Sequence, residues 1–167
     1  MPDASRPYMP GYGIQPADAG SGLLSWAWAE TKLLSSHDYW LGSSSPDGRP
    51  HLMPVWGIWM RDGLWFSSSA GSRKARNLLA DGRCTAAIDD AIDPVVIEGL
   101  ADLRGGPDDR LAYLTAMNAK YSVNYGLDFL DGVANLLFRV LPHTAFGLLH
   151  EDFAGSPTRW KFTPDAP

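Results

Sequence analysis

One cysteine, Cys84, is all that 167 residues provide. That excludes an intrachain disulfide framework and fits a reducing cytoplasm. No stretch approaches the ~20 consecutive apolar residues of a membrane helix. The N-terminus has no basic region followed by an apolar run, so no secretory signal is expected. These absences predict a cytoplasmic protein without a membrane partner. Excess positive charge is missing too. Lys and Arg number 14 against 19 Asp and Glu, a formal net charge of −5, which argues against a nucleic-acid partner. Four histidines, His37, His51, His143 and His150, lack the spacing of metal ligands, and no metal site is expected. Gly11-Tyr12-Gly13 is no nucleotide fingerprint, because no strand-to-helix context surrounds it. Asp89, Asp90 and Asp93 read as solvated loop carboxylates. No internal repeat is present.

What remains is enough for one domain with a core of its own. Residues 1–20 are rich in Pro, Gly, Ala and Asp, and read as a flexible N-terminal arm. Residues 21–167 read as a single domain. Ser21 to Ser35 has a moderately apolar helical face. Tyr39 to Ser43 and His51 to Met60 read as strands joined by the turn Pro46-Asp47-Gly48. Pro54 marks the second of these as bulged or at an edge, since proline cannot donate to a ladder. Arg61-Asp62-Gly63 closes a hairpin into Leu64 to Ser68. Cys84 to Asp89 is a further strand, with Cys84 a packing residue. From Pro94 to Arg104, Val95, Ile97, Gly99, Ala101 and Leu103 share one face, the pattern of a half-buried antiparallel strand. Pro107-Asp108-Asp109 opens a helix that runs to about Tyr121. Asn135 to Leu141 and Thr144 to Leu149 read as two strands broken by Pro142. Thr158 to Phe162 reads as a short last strand. Hairpin connections and few helices predict a mainly β protein, a small antiparallel barrel with helices outside it.

The most telling segment is Ser67-Ser68-Ser69-Ala70-Gly71-Ser72-Arg73-Lys74-Ala75-Arg76-Asn77-Leu78. It reads as a strand end, a tight turn and the start of a helix capped by Ser72 and ended at Asp81-Gly82, with Gly82 as a C-terminal cap. Arg73, Lys74 and Arg76 crowd the first turn, where the helix dipole is already positive. Each misplaced cation costs a few tenths to about 1 kcal/mol there. An anion at that position removes the conflict. Backbone N–H groups, serine hydroxyls and basic side chains together make a phosphate site.

The order of Pro46-Asp47-Gly48-Arg49-Pro50-His51, Pro54-Val55-Trp56-Gly57, Leu64-Trp65-Phe66-Ser67-Ser68 and Gly71-Ser72-Arg73-Lys74-Ala75-Arg76-Asn77-Leu78, with Thr158-Arg159-Trp160 near the end, resembles the pyridoxamine 5′-phosphate oxidase-like proteins. Flavin/deazaflavin oxidoreductases belong to that superfamily. The resemblance spans roughly residues 22 to 162. It implies a six-stranded antiparallel split β-barrel of the FMN-binding type, and a homodimer with cofactors at the subunit interface. By matched position it implies that Ser72, Arg73 and Lys74 hold the cofactor phosphate and that Ser67 and Ser68 approach phosphate and flavin. Val55 and Trp56 match the strand along the flavin ring. Asn77 matches the Asn of the deazaflavin-type motif, and Trp160 an aromatic that reaches the partner's cofactor. Met53 and Ile58 stand where the true oxidases carry basic residues. The resemblance therefore supports the fold and cofactor class, not pyridoxal phosphate synthesis, and leaves FMN and a deazaflavin coenzyme open.

The implied activity is an oxidoreductase that moves a hydride between a reduced flavin or deazaflavin and a small conjugated substrate, held between Trp56 and the partner's Trp160. No obligatory catalytic side chain is expected, because the cofactor carries the chemistry. The alternative is a non-catalytic flavin or haem carrier of the same fold. Tyr39, Trp40, Trp56 and Trp59 are candidates for a substrate wall or for the core.

Overall fold

The computed structural model describes residues 1–163. The last four residues of the 21–167 domain expected from sequence lie outside that range. Eight strands and three α-helices make up the described fold: β1 (Asp3–Ser5), α1 (Trp26–Ser35), β2 (Asp38–Ser44), β3 (Pro50–Met60), β4 (Gly63–Ser69), α2 (Arg73–Ala80), β5 (Arg83–Ile88), β6 (Val95–Arg104), α3 (Pro107–Tyr121), β7 (Asn135–Gly147) and β8 (Thr158–Lys161). All pairings are antiparallel, in the order β1-β8-β7-β4-β3-β2-β5-β6, and β6 pairs back onto β7. Six strands thus close a barrel, and β8 and β1 extend it past β7. No described helix is long and apolar enough to cross a membrane.

Period-two alternation drives closure. On β2, Tyr39 and Leu41 point inward and are buried, while Trp40 points outward. Leu64 and Phe66 do the same on β4, and Phe66 stacks on Phe138 of β7 at 5.3 Å. Trp65 points out of the barrel under α3, in a second cluster with Ile58, Leu137, Tyr113, Leu114 and Met117. Cys84 faces the core, and burial pushes its thiol up to about 12. It stays protonated and acts as a small apolar residue.

Several expectations need correction. Helix α1 begins only at Trp26, because Ser25 caps it by accepting from the Trp28 N–H. Residues 1–20 do not hang free. β1 pairs with β8, and the Arg6 guanidinium donates to six carbonyls, those of Gln15, Pro16, Ala19, Gly22, Gly155 and Pro157. One charged fork thereby ties the segment to the domain, which composition alone could not reveal. Pro142 does not break a strand. β7 runs through it, and a bulge opposite Glu98 and Gly99 absorbs the missing donor. Gly99 is required there, since a Cβ would lie 2.2 Å from the Leu141 carbonyl oxygen. Gly82 does not cap α2. Asp81 does, in extended conformation, and Gly82 instead lies against the Ala101 carbonyl. Pro54 sits at an edge, as its chemistry demands. β3 pairs with β4 only over Gly57–Met60, so the Pro50–Trp56 half has β2 alone as a neighbour.

Candidate cofactor site

The site starts where the barrel wall opens. β3 and β4 are paired up to Gly57 and Phe66, and beyond that point they diverge. β4 continues as Ser67-Ser68-Ser69, paired only with β7. The seam between Met53–Trp56 and Ser67–Ser69 leads directly to the start of α2.

Two tyrosines and a lysine of α3 serve backbone groups beside the seam. Tyr113 Oη accepts from the Ser67 N–H at 3.1 Å. Tyr121 Oη accepts from the Gly57 N–H at 2.8 Å, and Lys120 Nζ donates to the Gly57 carbonyl at 2.7 Å. Left unpaired, buried backbone groups of this kind cost about 1–3 kcal/mol each. Burial pushes the Tyr113 and Tyr121 hydroxyls up and the Lys120 ammonium down. Sequence reading missed these three residues. Their helical spacing shows a buried face but not which strand it serves.

At the start of α2, Ser72 Oγ accepts from the Ala75 N–H at 3.1 Å and lies 2.8 Å from Ser68 Oγ. The first N–H groups of any helix have no intrahelical carbonyl to meet. Arg73 is exposed, Lys74 half-buried and Arg76 exposed. Among the described residues none of the three forms an ion pair, although Asp47, Asp81, Asp90, Asp93, Asp102 and Asp109 all do. The turn Pro46–Gly48 lies on the rim. The Asp47 carboxyl there is held below its ordinary value, first by the Ser45 hydroxyl and more weakly by the charge of Arg73.

The other expected residues divide. Trp56 points out of the barrel beside the seam and is 46% exposed, with one face stacked on Tyr121 at 4.5 Å and 5°. Val55 faces the core, so only its backbone borders the seam. Asn77 points away from the Ser68 and Ser72 hydroxyls. It is buried, and its Nδ2 donates to Ser43 Oγ at 3.1 Å, pinning α2 to β2. Trp160 is corrected outright. It is 0% exposed, its Nε1 donates to the Leu24 carbonyl, and it packs against Trp26 and Trp28. A side chain at the centre of the core cannot touch a partner's cofactor. Of the four candidate wall aromatics, Tyr39 and Trp59 are core, while Trp40 and Trp56 are exposed.

The donor set suits a phosphate-bearing ligand: the hydroxyls of Ser68 and Ser72, a helix start and cations without an ion pair among the described residues, beside an open seam flanked by an aromatic face. Over residues 29–145 the sequence matches the family described as pyridoxamine 5'-phosphate oxidase. The chain belongs to this family. Solved structures share its fold. A conserved hypothetical protein from Mycobacterium tuberculosis aligns with a TM-score of 0.66 at 23% identity, covering 76% of this chain and 86% of that one. A protein described as F420 reductase aligns at 0.57 and 22% identity, covering 70% and 94%. The heme storage protein HutZ from Vibrio cholerae aligns at 0.56 and 15%, covering 70% and 88%. At these identities the likeness shows the fold alone. No curated protein matches the sequence.

Proposed function

We propose that this family member is an oxidoreductase that uses a flavin or deazaflavin coenzyme on a small conjugated substrate, and that Ser68, Ser72, Arg73 and Lys74 anchor the coenzyme's phosphate. The observation that carries this reading is the cluster Arg73, Lys74 and Arg76. It stands at the positive end of α2, and among the described residues none of its three side chains forms an ion pair, Asp47 acting on Arg73 only weakly and from a distance. The family match and an F420 reductase among the structural neighbours support the cofactor class.

When bound, the reduced coenzyme supplies the hydride. The chain's own part is binding, orientation and exclusion of water. Arg73 and Lys74 fix the phosphate by charge-assisted hydrogen bonds of roughly 1.5–3 kcal/mol each. The half-buried Lys74 contributes more than the exposed Arg73, whose charge is better screened. The open face of Trp56, its back braced by Tyr121, orients a planar substrate beside the seam. The protein acts as a homodimer. Trp40, Leu52 and Leu100, outward-facing on β2, β3 and β6, are large, apolar and exposed, and they form a face suited to a second copy. Cytoplasmic location accords with the single, buried cysteine.

A second reading, a haem carrier, has one observation in its favour. His51 and His143 line one cavity of about 630 Å³ on the outer sheet face, and a haem needs an axial ligand. Mixing the protein with reduced FMN or reduced deazaflavin and a panel of quinones, enones and tetrapyrroles decides between them. Coenzyme oxidation above the protein-free rate supports the oxidoreductase. No acceleration, together with a haem spectrum in the purified protein, supports the carrier.

A further inference from the structure

A second cavity, of about 720 Å³, opens at the barrel end away from the phosphate cradle. It lies between the first turns of α1, the β3–β4 turn and the segment after β8. Its walls include Trp26, Phe162 and Leu141, and its acids are Glu30 and Asp62. Trp26 and Glu30 are four residues apart on α1 and so share a face. Phe162 meets Trp26 edge-on at 4.8 Å, and Trp59 lies behind it at 6.2 Å.

Glu30 is half-buried among these rings. Its one hydrogen bond among the described residues comes from Trp59 Nε1, at 3.4 Å. Neither Glu30 nor Asp62 forms an ion pair there, although the turn's other residue, Arg61, is taken by Asp109. Asp62 is also held at a φ of 57°, in the left-handed region. The basic groups on the rim are the exposed amine of Met1 and the His143 imidazole. A carboxylate withdrawn from water without a cation is costly. Aromatic walls and carboxylates together recognise an organic cation, by cation–π attraction and by charge.

We infer that this cavity binds a small organic ammonium ion, with Glu30 as counter-ion and Trp26 as aromatic wall. The site is independent of the cradle and of the oxidoreductase reading. Choline chloride is the probe, titrated against the full chain and followed by the Trp26 indole N–H resonance and by calorimetry. The expected result is saturable binding at concentrations below ~10 mM. Glu30→Gln keeps an acceptor for Trp59 and loses only the charge, and it should weaken binding about tenfold or more. Asp62→Asn, on an exposed turn, should weaken it less. Lys74→Ala should leave it unchanged. Equal binding of choline's neutral carbon isostere, no saturation, or an unchanged affinity in Glu30→Gln overturns the inference.

Discussion

Trp160 shows how one residue's environment decides its role. Its family-matched position implies a partner-facing aromatic, yet the indole is enclosed by Trp26, Trp28 and the Leu24 carbonyl. Trp160→Ala should therefore act on stability, by about 3–5 kcal/mol, the range for large aromatic truncations in a core. Urea unfolding of wild type and variant measures this. A variant with unchanged stability but impaired coenzyme turnover would restore the functional role. Asp90 makes a complementary case. Lys32 Nζ lies 2.9 Å from it and is the main cause holding its carboxyl below the ordinary 3.8. A depressed folded-state value stabilises the fold above the unfolded value. That stability is lost as pH falls through the folded value. Asp90→Asn keeps acceptors for the Ile92 and Asp93 N–H groups and drops only the charge. Its destabilisation should be present at neutral pH, shrink as pH falls below the ordinary 3.8 and vanish only once pH is below the depressed folded value. An equal cost at both extremes of pH would place the effect in the loop's hydrogen bonds instead.

Among elements, α3 does what the sequence does not announce. Its register against the barrel brings Tyr113, Lys120 and Tyr121 to the strand edges at the seam. Tyr121→Phe keeps the ring on Trp56 and leaves the Gly57 N–H unpaired. It should cost about 1–3 kcal/mol and speed amide exchange at Gly57, read by NMR, while Trp56 remains stacked. No change in exchange at Gly57 would mean that another acceptor takes over. Elements with a local signature were legible in the sequence: the alternation of β6, the proline and acids that open α3, the Ser72 cap of α2. Elements fixed by distant partners were not. β1 depends on β8, and the Arg6 fork on carbonyls up to 151 residues away. The uninterrupted β7 depends on a bulge paired with Gly99. The grouping of serines and cations at the start of α2 was legible because these residues are contiguous. The burial of Asn77 and Trp160 was not, since a matched position carries no information on which way a side chain points.

At the scale of the whole molecule, closure of six strands leaves one wall without cover. α3 shields the outer face of β3, β4 and β7, but Trp40, Leu52, Trp56 and Leu100 remain exposed. The proposed homodimer covers Trp40, Leu52 and Leu100, while Trp56 keeps its open face toward the seam. Light scattering should give twice the 18.2 kDa chain mass, and Trp40→Glu should shift it toward one chain by placing a charge in an apolar contact. A wild-type protein of single-chain mass at working concentration would rule the dimer out. The proposed function depends on the cations at the start of α2, free of ion pairs among the described residues, binding a coenzyme phosphate at the barrel's seam. Equilibrium titration of FMN and of a deazaflavin coenzyme into wild type, Lys74→Ala and Arg73→Ala tests it most directly. Wild type should bind at least one coenzyme saturably. Lys74→Ala should lose about tenfold or more and Arg73→Ala less, with unfolding midpoints unchanged. Unaltered affinity in both variants would place the coenzyme phosphate elsewhere.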